Sequence, residues 1–192
     1  MSALETLVQQ LREPLSAYFL TNAIARDYGS GATFPTSPAT GARFFRTDLG
    51  WACYYDGTRW LTQHEYAATL TPYTPVVPGA AFYTGAAGVA LAYAAPRTDA
   101  SLYLTRWAIA YILDTNQSGV NYWTLQLAAN ATTLTTQTTQ NATALGNWYT
   151  REGTDGADRG AVSFVRLIAS AKAGAPGGIW ATATVYYRLI VP

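Results

Sequence analysis

One histidine, one cysteine and eleven acidic residues in 192 leave few ways for this chain to do chemistry. A Ser-His-Asp or Cys-His arrangement would have to use His64, and no activated-nucleophile turn of the G-x-S-x-G kind is present. His64 directly follows an aromatic-rich stretch and is expected to be a surface or packing residue. Cys53 lies between Ala52 and Tyr54 in a strand-like run, where a thiol behaves as a small buried apolar group. One imidazole, one thiol and scattered carboxylates cannot build a usual zinc site. Asp155 and Asp158 in REGTDGADRG could offer oxygen to calcium but lack the dense acidic spacing of a calcium loop, so a solvated turn is expected there. A glycosidase needs two carboxyl groups at a set separation. Here Asp48, Asp56, Asp155 and Asp158 all sit in turn-forming contexts that account for them. The expectation is a protein that is not an enzyme, with no catalytic residue, no metal and no cofactor.

What the chain does have is aromatic surface: six Trp, fourteen Tyr and six Phe, more than a small core needs. Exposed Trp and Tyr rings anchor protein interfaces or stack on sugar faces. The residues expected at an interface are Trp51, Tyr54, Tyr55 and Trp60 in the aromatic stretch, with Trp180, Tyr186 and Arg188 near the end. Tyr103, Trp107 and Tyr111 are expected in a core. Charge is sparse, at 12% of residues with a formal net charge of +1, and the twelve basic residues are spread along the chain. Nucleic-acid binding, which needs a clustered basic surface, is therefore not expected. The sequons at Asn116, Asn130 and Asn141 carry no weight without a secretory signal, and Met1 to Arg12 has no signal-peptide pattern. Residues 79–95 are uncharged but too short and too rich in Gly and Ala to span a bilayer, so no membrane insertion is expected.

These residues need elements to position them. In residues 1–27, Leu4, Val8, Leu11, Leu15 and Tyr18 recur at spacings of four and three, the stripe of an amphipathic helix. Pro14 favours two short helices over one, and the segment is read as an anchor or oligomerisation element. Residues 28–42 are a Gly/Pro/Ser/Thr linker. Residues 43–62 (RFFRTDLGWACYYDGTRWLT) hold three strand-like runs separated by Asp48–Gly50 and Asp56–Gly57, which predicts a three-stranded meander with a tight Asp-Gly hairpin turn. Residues 63–78 are a second linker. Residues 79–192 form an antiparallel β-sandwich, jelly-roll-like, with strands expected at Val89–Tyr93, Leu102–Leu113, Tyr122–Ala129, Leu145–Glu152, Val162–Ala171 and Ile179–Val191. Thr132–Asn141 reads as polar strands or a loop, and Arg151–Gly160 as a polar turn. The fold class is mainly β.

The segment PTSPATGARFFRTDLGWACYYDGTRWL resembles a short module recurring in phage and prophage structural proteins, especially tail-fibre, spike and head-fibre chains. The matching features are Pro35 and Pro38, Gly41, Phe44 and Phe45, Asp48 to Gly50, Tyr54 and Tyr55, Asp56 and Gly57, and Trp60. The closing IWATATVYYRLIVP is similar to the sandwich that accompanies the module in such chains. The resemblance implies a virion surface or appendage role, as capsid decoration or tail fibre, in a homotrimer with other virion proteins as partners and no cofactor. The protein would be made in the bacterial cytoplasm and located in the virion. Two other classes compete with this reading. A carbohydrate- or host-receptor-binding module would take a host-surface glycan as partner and show a row of exposed rings on one sheet face. A polysaccharide-cleaving enzyme would release reducing ends.

Overall fold

The computed structural model describes residues 27–72, 82–96, 100–142 and 146–192. The expected N-terminal helices lie outside these residues. Among the described residues the protein is β throughout, with thirteen strands and no helix. The chain divides into two compact units, Met1–His64 with Ile190–Pro192, and Glu65–Leu189.

The first unit contains the meander. Strands β2 (Arg43–Arg46), β3 (Trp51–Tyr55) and β4 (Trp60–Thr62) pair antiparallel in sequence order. Their alternation buries Phe44, Cys53 and Trp60 on one side. The first turn closes through Gly50 N donating to Arg46 O at 2.8 Å, with Gly50 at φ +68°. The second differs from the two-residue hairpin that Asp56–Gly57 predicts. Tyr55 pairs with Trp60, leaving the four-residue loop 56–59. Asp56 Oδ1 accepts from the backbone amides of Thr58 and Arg59, both at 2.8 Å, so the aspartate works through its side chain and only Gly57 takes positive φ.

The meander gains an edge on each side. Strand β1 (Asp27–Gly31), from the stretch expected to be a linker, pairs parallel with β2. Ile190 and Val191 pair antiparallel with Leu61 and Trp60. A twenty-residue meander is too small to hold a core alone, and these additions supply what it lacks.

The second unit has two sheets. In one, β13 (Ile179–Val191) lies between β8 (Ser101–Leu113) and β5 (Tyr66–Thr69), and β11 (Tyr149–Ala161) pairs with the far side of β8. In the other the order is β10 (Thr132–Thr138), β9 (Tyr122–Ala129), β12 (Val165–Ala173), β7 (Val89–Ala94), β6 (Thr71–Pro72). Each sheet has one apolar face. Leu102, Leu104, Trp107, Ile109, Tyr111, Leu113 and alternate residues from Ile179 to Leu189 line the first; Trp123, Leu125, Leu127, Val165, Leu167 and Ala169 line the second. Each fully buried Leu, Val or Ile of this set stabilises the fold by about 1.5–3 kcal/mol. Two such faces make a sandwich-like arrangement. A buried polar cluster beside it is satisfied: Gln117 Nε2 donates to Pro176 O at 2.6 Å, and Thr139 Oγ1 donates to Gln117 Oε1 at 3.1 Å.

Three expectations need correction. Arg151–Gly160 is not a turn, because it forms most of β11, a 13-residue strand paired along β8. Its register shifts near Gly156 and Gly160, both at positive φ, so the Gly/Asp content marks bulges and not a reversal. Tyr103 is not core: burial in β8 slips by one residue between Leu104 and Trp107, leaving Tyr103 outside, with its hydroxyl donating to Gly156 O at 3.0 Å. The stretch 63–78, expected as a linker, carries β5 and β6.

Candidate interaction surfaces

Within the first unit the aromatic residues mostly serve packing. Trp60 is 7% exposed and stacks parallel on Phe34, with ring centroids 4.4 Å apart, while Phe44 and Tyr55 tilt against the same cluster. Trp51 is half-buried against it, and Tyr54 is half-buried opposite Leu61. Arg46 closes the arrangement. Its guanidinium sits 4.7 Å from the Phe34 ring centroid, donates twice to the Asp48 carboxylate (2.9 and 2.8 Å), and donates to Pro192 O at 2.7 Å. The Arg46 hydrogen bonds hold the Asp48 carboxyl below its ordinary pKa, and the same bonds raise that of Arg46. Burial pushes the Cys53 thiol up to about 11, away from any nucleophilic role at neutral pH. Phe45, 43% exposed, borders a shallow open depression of about 330 Å³ with Arg43, Ala52, Gln63 and Gly29.

Within the second unit, the outward face of the sheet containing β13 collects the other expected residues. Trp180, Tyr186 and Arg188 alternate outward along β13 while their neighbours are buried. Arg106 of β8 lies 3.6 Å over the Tyr186 ring and pairs with Glu65 at 2.9 Å. Thr105 Oγ1 donates to Glu65 Oε1 at 2.6 Å; this bond, followed by that from Arg106, keeps the Glu65 carboxyl below its usual range. Sequence reasoning did not single out Trp148, which is 57% exposed and meets Trp180 edge-on, with centroids 5.0 Å apart at 89°. Its signal was available as a Trp in a run free of charge, Thr115 to Thr150.

Residues weighed for other chemistry have structural partners. Asp155 accepts a two-point pair from Arg159, with Nε to Oδ2 at 2.8 Å. Asn130 Oδ1 accepts from the Ser163 and Phe164 amides at 3.0 and 3.3 Å, tying the β9–β10 turn to the start of β12. Among the described residues, no three His, Cys, Asp or Glu side chains gather as metal ligands would.

These features define a mainly β protein with a small aromatic unit and a two-sheet unit. No protein-family model and no curated protein matches the sequence. Among solved structures, a chain in a structure of infectious bursal disease virus, Gx strain, is similar at 12% identity and a TM-score of 0.29, over 68% of this chain and 33% of that one. A chain of the Gt strain of the same virus is similar at 14% identity and a TM-score of 0.25, over 83% and 51%. This chain therefore spans about a third to a half of the length of those two. Likenesses of this size define no common fold.

Proposed function

We propose that the chain is a non-enzymatic structural protein of a bacteriophage particle, exposed on capsid, neck or tail and assembled as a homotrimer. The observation that carries this reading is the meander at residues 43–62. The residues through which it resembles the phage module fill defined roles: Phe44 and Trp60 in the aromatic cluster, Gly50 in the first turn, Asp56 and Gly57 in the second. Two points support the rest. The long strands cross between the two sheets after β8, β10, β11 and β12, which favours a jelly-roll type of sandwich. Sparse charge leaves contacts between copies to shape and aromatic burial, as in a permanent assembly. Light scattering on the full chain tests the oligomer, with a mass of three chains expected. A single-chain mass at high protein concentration overturns the trimer. Mass spectrometry of purified phage particles, from a host carrying the gene, tests location, and absence of the chain from the particles overturns it.

A further inference from the structure

We propose that the outward face of β11, β8 and β13 is a binding site for an uncharged oligosaccharide, with Trp148 and Trp180 as its stacking residues. The inference goes beyond the structural role, since it needs only an exposed face and holds wherever the protein resides. The face is built as follows. Asp114 N donates to Gly178 O and Thr105 Oγ1 reaches Tyr186 O, so β8 and β13 run antiparallel with Ile112 beside Trp180. Tyr149 pairs with Tyr111, which sets the preceding Trp148 in the row of Ile112. Trp148, just before β11, thus lines up with Ile112 of β8 and Trp180 of β13 as an apolar ledge, where the exposed Trp148 meets the half-buried Trp180 edge-on.

Beyond the ledge the surface is low and hydroxylated. Thr150 pairs with Ala110 and Glu152 with Ala108, while Thr182 and Thr184 follow Trp180 on the same side of β13. Tyr186, under Arg106, ends this strip. Six strand steps separate Trp180 from Tyr186, a path of roughly 20 Å, enough for a short saccharide chain.

Charge selects the ligand class. Around the far end stand Arg106 and Arg188 with Glu65 and Glu152, two of each sign, and Arg106 is already engaged by Glu65. The ledge residues and Thr150, Ala110, Thr182 and Thr184 are themselves uncharged, with Glu152 opposite Ala108 and the exposed Asp114 two residues beyond Ile112. With Asp114 beside the ledge, three carboxylates stand against two guanidiniums, so the face gives an anionic polymer no net attraction, while pyranose C–H groups suit an indole and sugar hydroxyls suit threonine.

The test uses the full chain, labelled for indole N–H signals, titrated with cellohexaose, maltohexaose and chitohexaose as neutral probes and polysialic acid as the anionic one. At least one neutral hexasaccharide is expected to shift the Trp148 and Trp180 signals while the buried Trp123 stays fixed. Trp148→Ala should weaken that binding about tenfold or more, and Trp148→Phe, which keeps a ring, should weaken it less. The proposal is overturned if none of the three neutral probes binds, if binding survives Trp148→Ala with Trp180→Ala, or if polysialic acid binds as tightly. It is also overturned if Trp148→Ala changes the oligomeric mass and leaves saccharide binding intact, since the ledge is then a protein contact.

Discussion

At the scale of single residues, two buried groups give opposite lessons about polarity. Cys53 keeps its proton because burial disfavours the thiolate, with the folded pKa moved from 9.0 to about 11. As pH rises past the ordinary thiol value, the unfolded chain releases this proton while the folded chain holds it. The stability contributed by the neutral thiol therefore declines between pH 9.0 and about 11. Cys53→Ala should remove that alkaline slope from a denaturation series, and iodoacetamide at pH 8 should label Cys53 only in unfolded protein; rapid labelling of the native chain contradicts the burial. Tyr111 is the second case. It is fully buried and stacks on Tyr149 with centroids 5.4 Å apart, yet its hydroxyl has no hydrogen-bond partner among the described residues. Burial accordingly raises its pKa. Tyr111→Phe removes an unsatisfied hydroxyl and keeps the ring, so stability should hold or rise by up to about 1 kcal/mol in urea denaturation. A clear loss would mean that the hydroxyl is bonded.

At the scale of elements, β11 shows how a polar edge strand is seated. Gly153 pairs with Trp107, and a Cβ there would clash with the edge of the indole at Cζ2 and Cε2. Gly153→Val should therefore destabilise the fold by about 2 kcal/mol, with part of the loss recovered when Trp107→Leu is added. Additive effects of the two changes, measured by thermal unfolding, would show that they do not meet. The same strand marks the limit of what could be read from sequence. Tyr122–Ala129 and Ile179–Val191 were legible because every second residue is apolar and buried, as far as Leu127 in the first and along the whole of the second. Arg151–Gly160 has the composition of a turn, and only its neighbour β8 makes it a strand. Tyr103 was misplaced because a one-residue slip changes which side of the sheet a side chain faces, and no local signal announces the slip. On the surface, Trp180 and Tyr186 were legible from alternation along β13. Trp148 was not, because its significance comes from a partner 32 positions away in sequence.

At the scale of the whole molecule, the amphipathic stripe from Leu4 to Tyr18 precedes the first described strand, Asp27–Gly31, in sequence. The trimer proposal assigns the association of copies to that stripe. Removal of residues 1–26 should then lower the light-scattering mass from three chains to one, with the β circular-dichroism signal unchanged. A truncated chain that still measures as a trimer would move the contact to the strands.

The order of synthesis adds a constraint on the smallest part of the molecule. Arg46 finds one of its acceptors 146 positions later, and Val191 completes the cluster around Trp60. At ordinary translation speeds, residues 43–62 leave the ribosome on the order of ten seconds before residues 190–192 exist. During that interval the edge of β4 and the aromatic side chains around it stand open to other nascent chains. The meander that looks like a self-contained cassette in the sequence is thus among the last parts of the molecule to be finished. Transplanted by itself into another protein, it would carry that open edge with it.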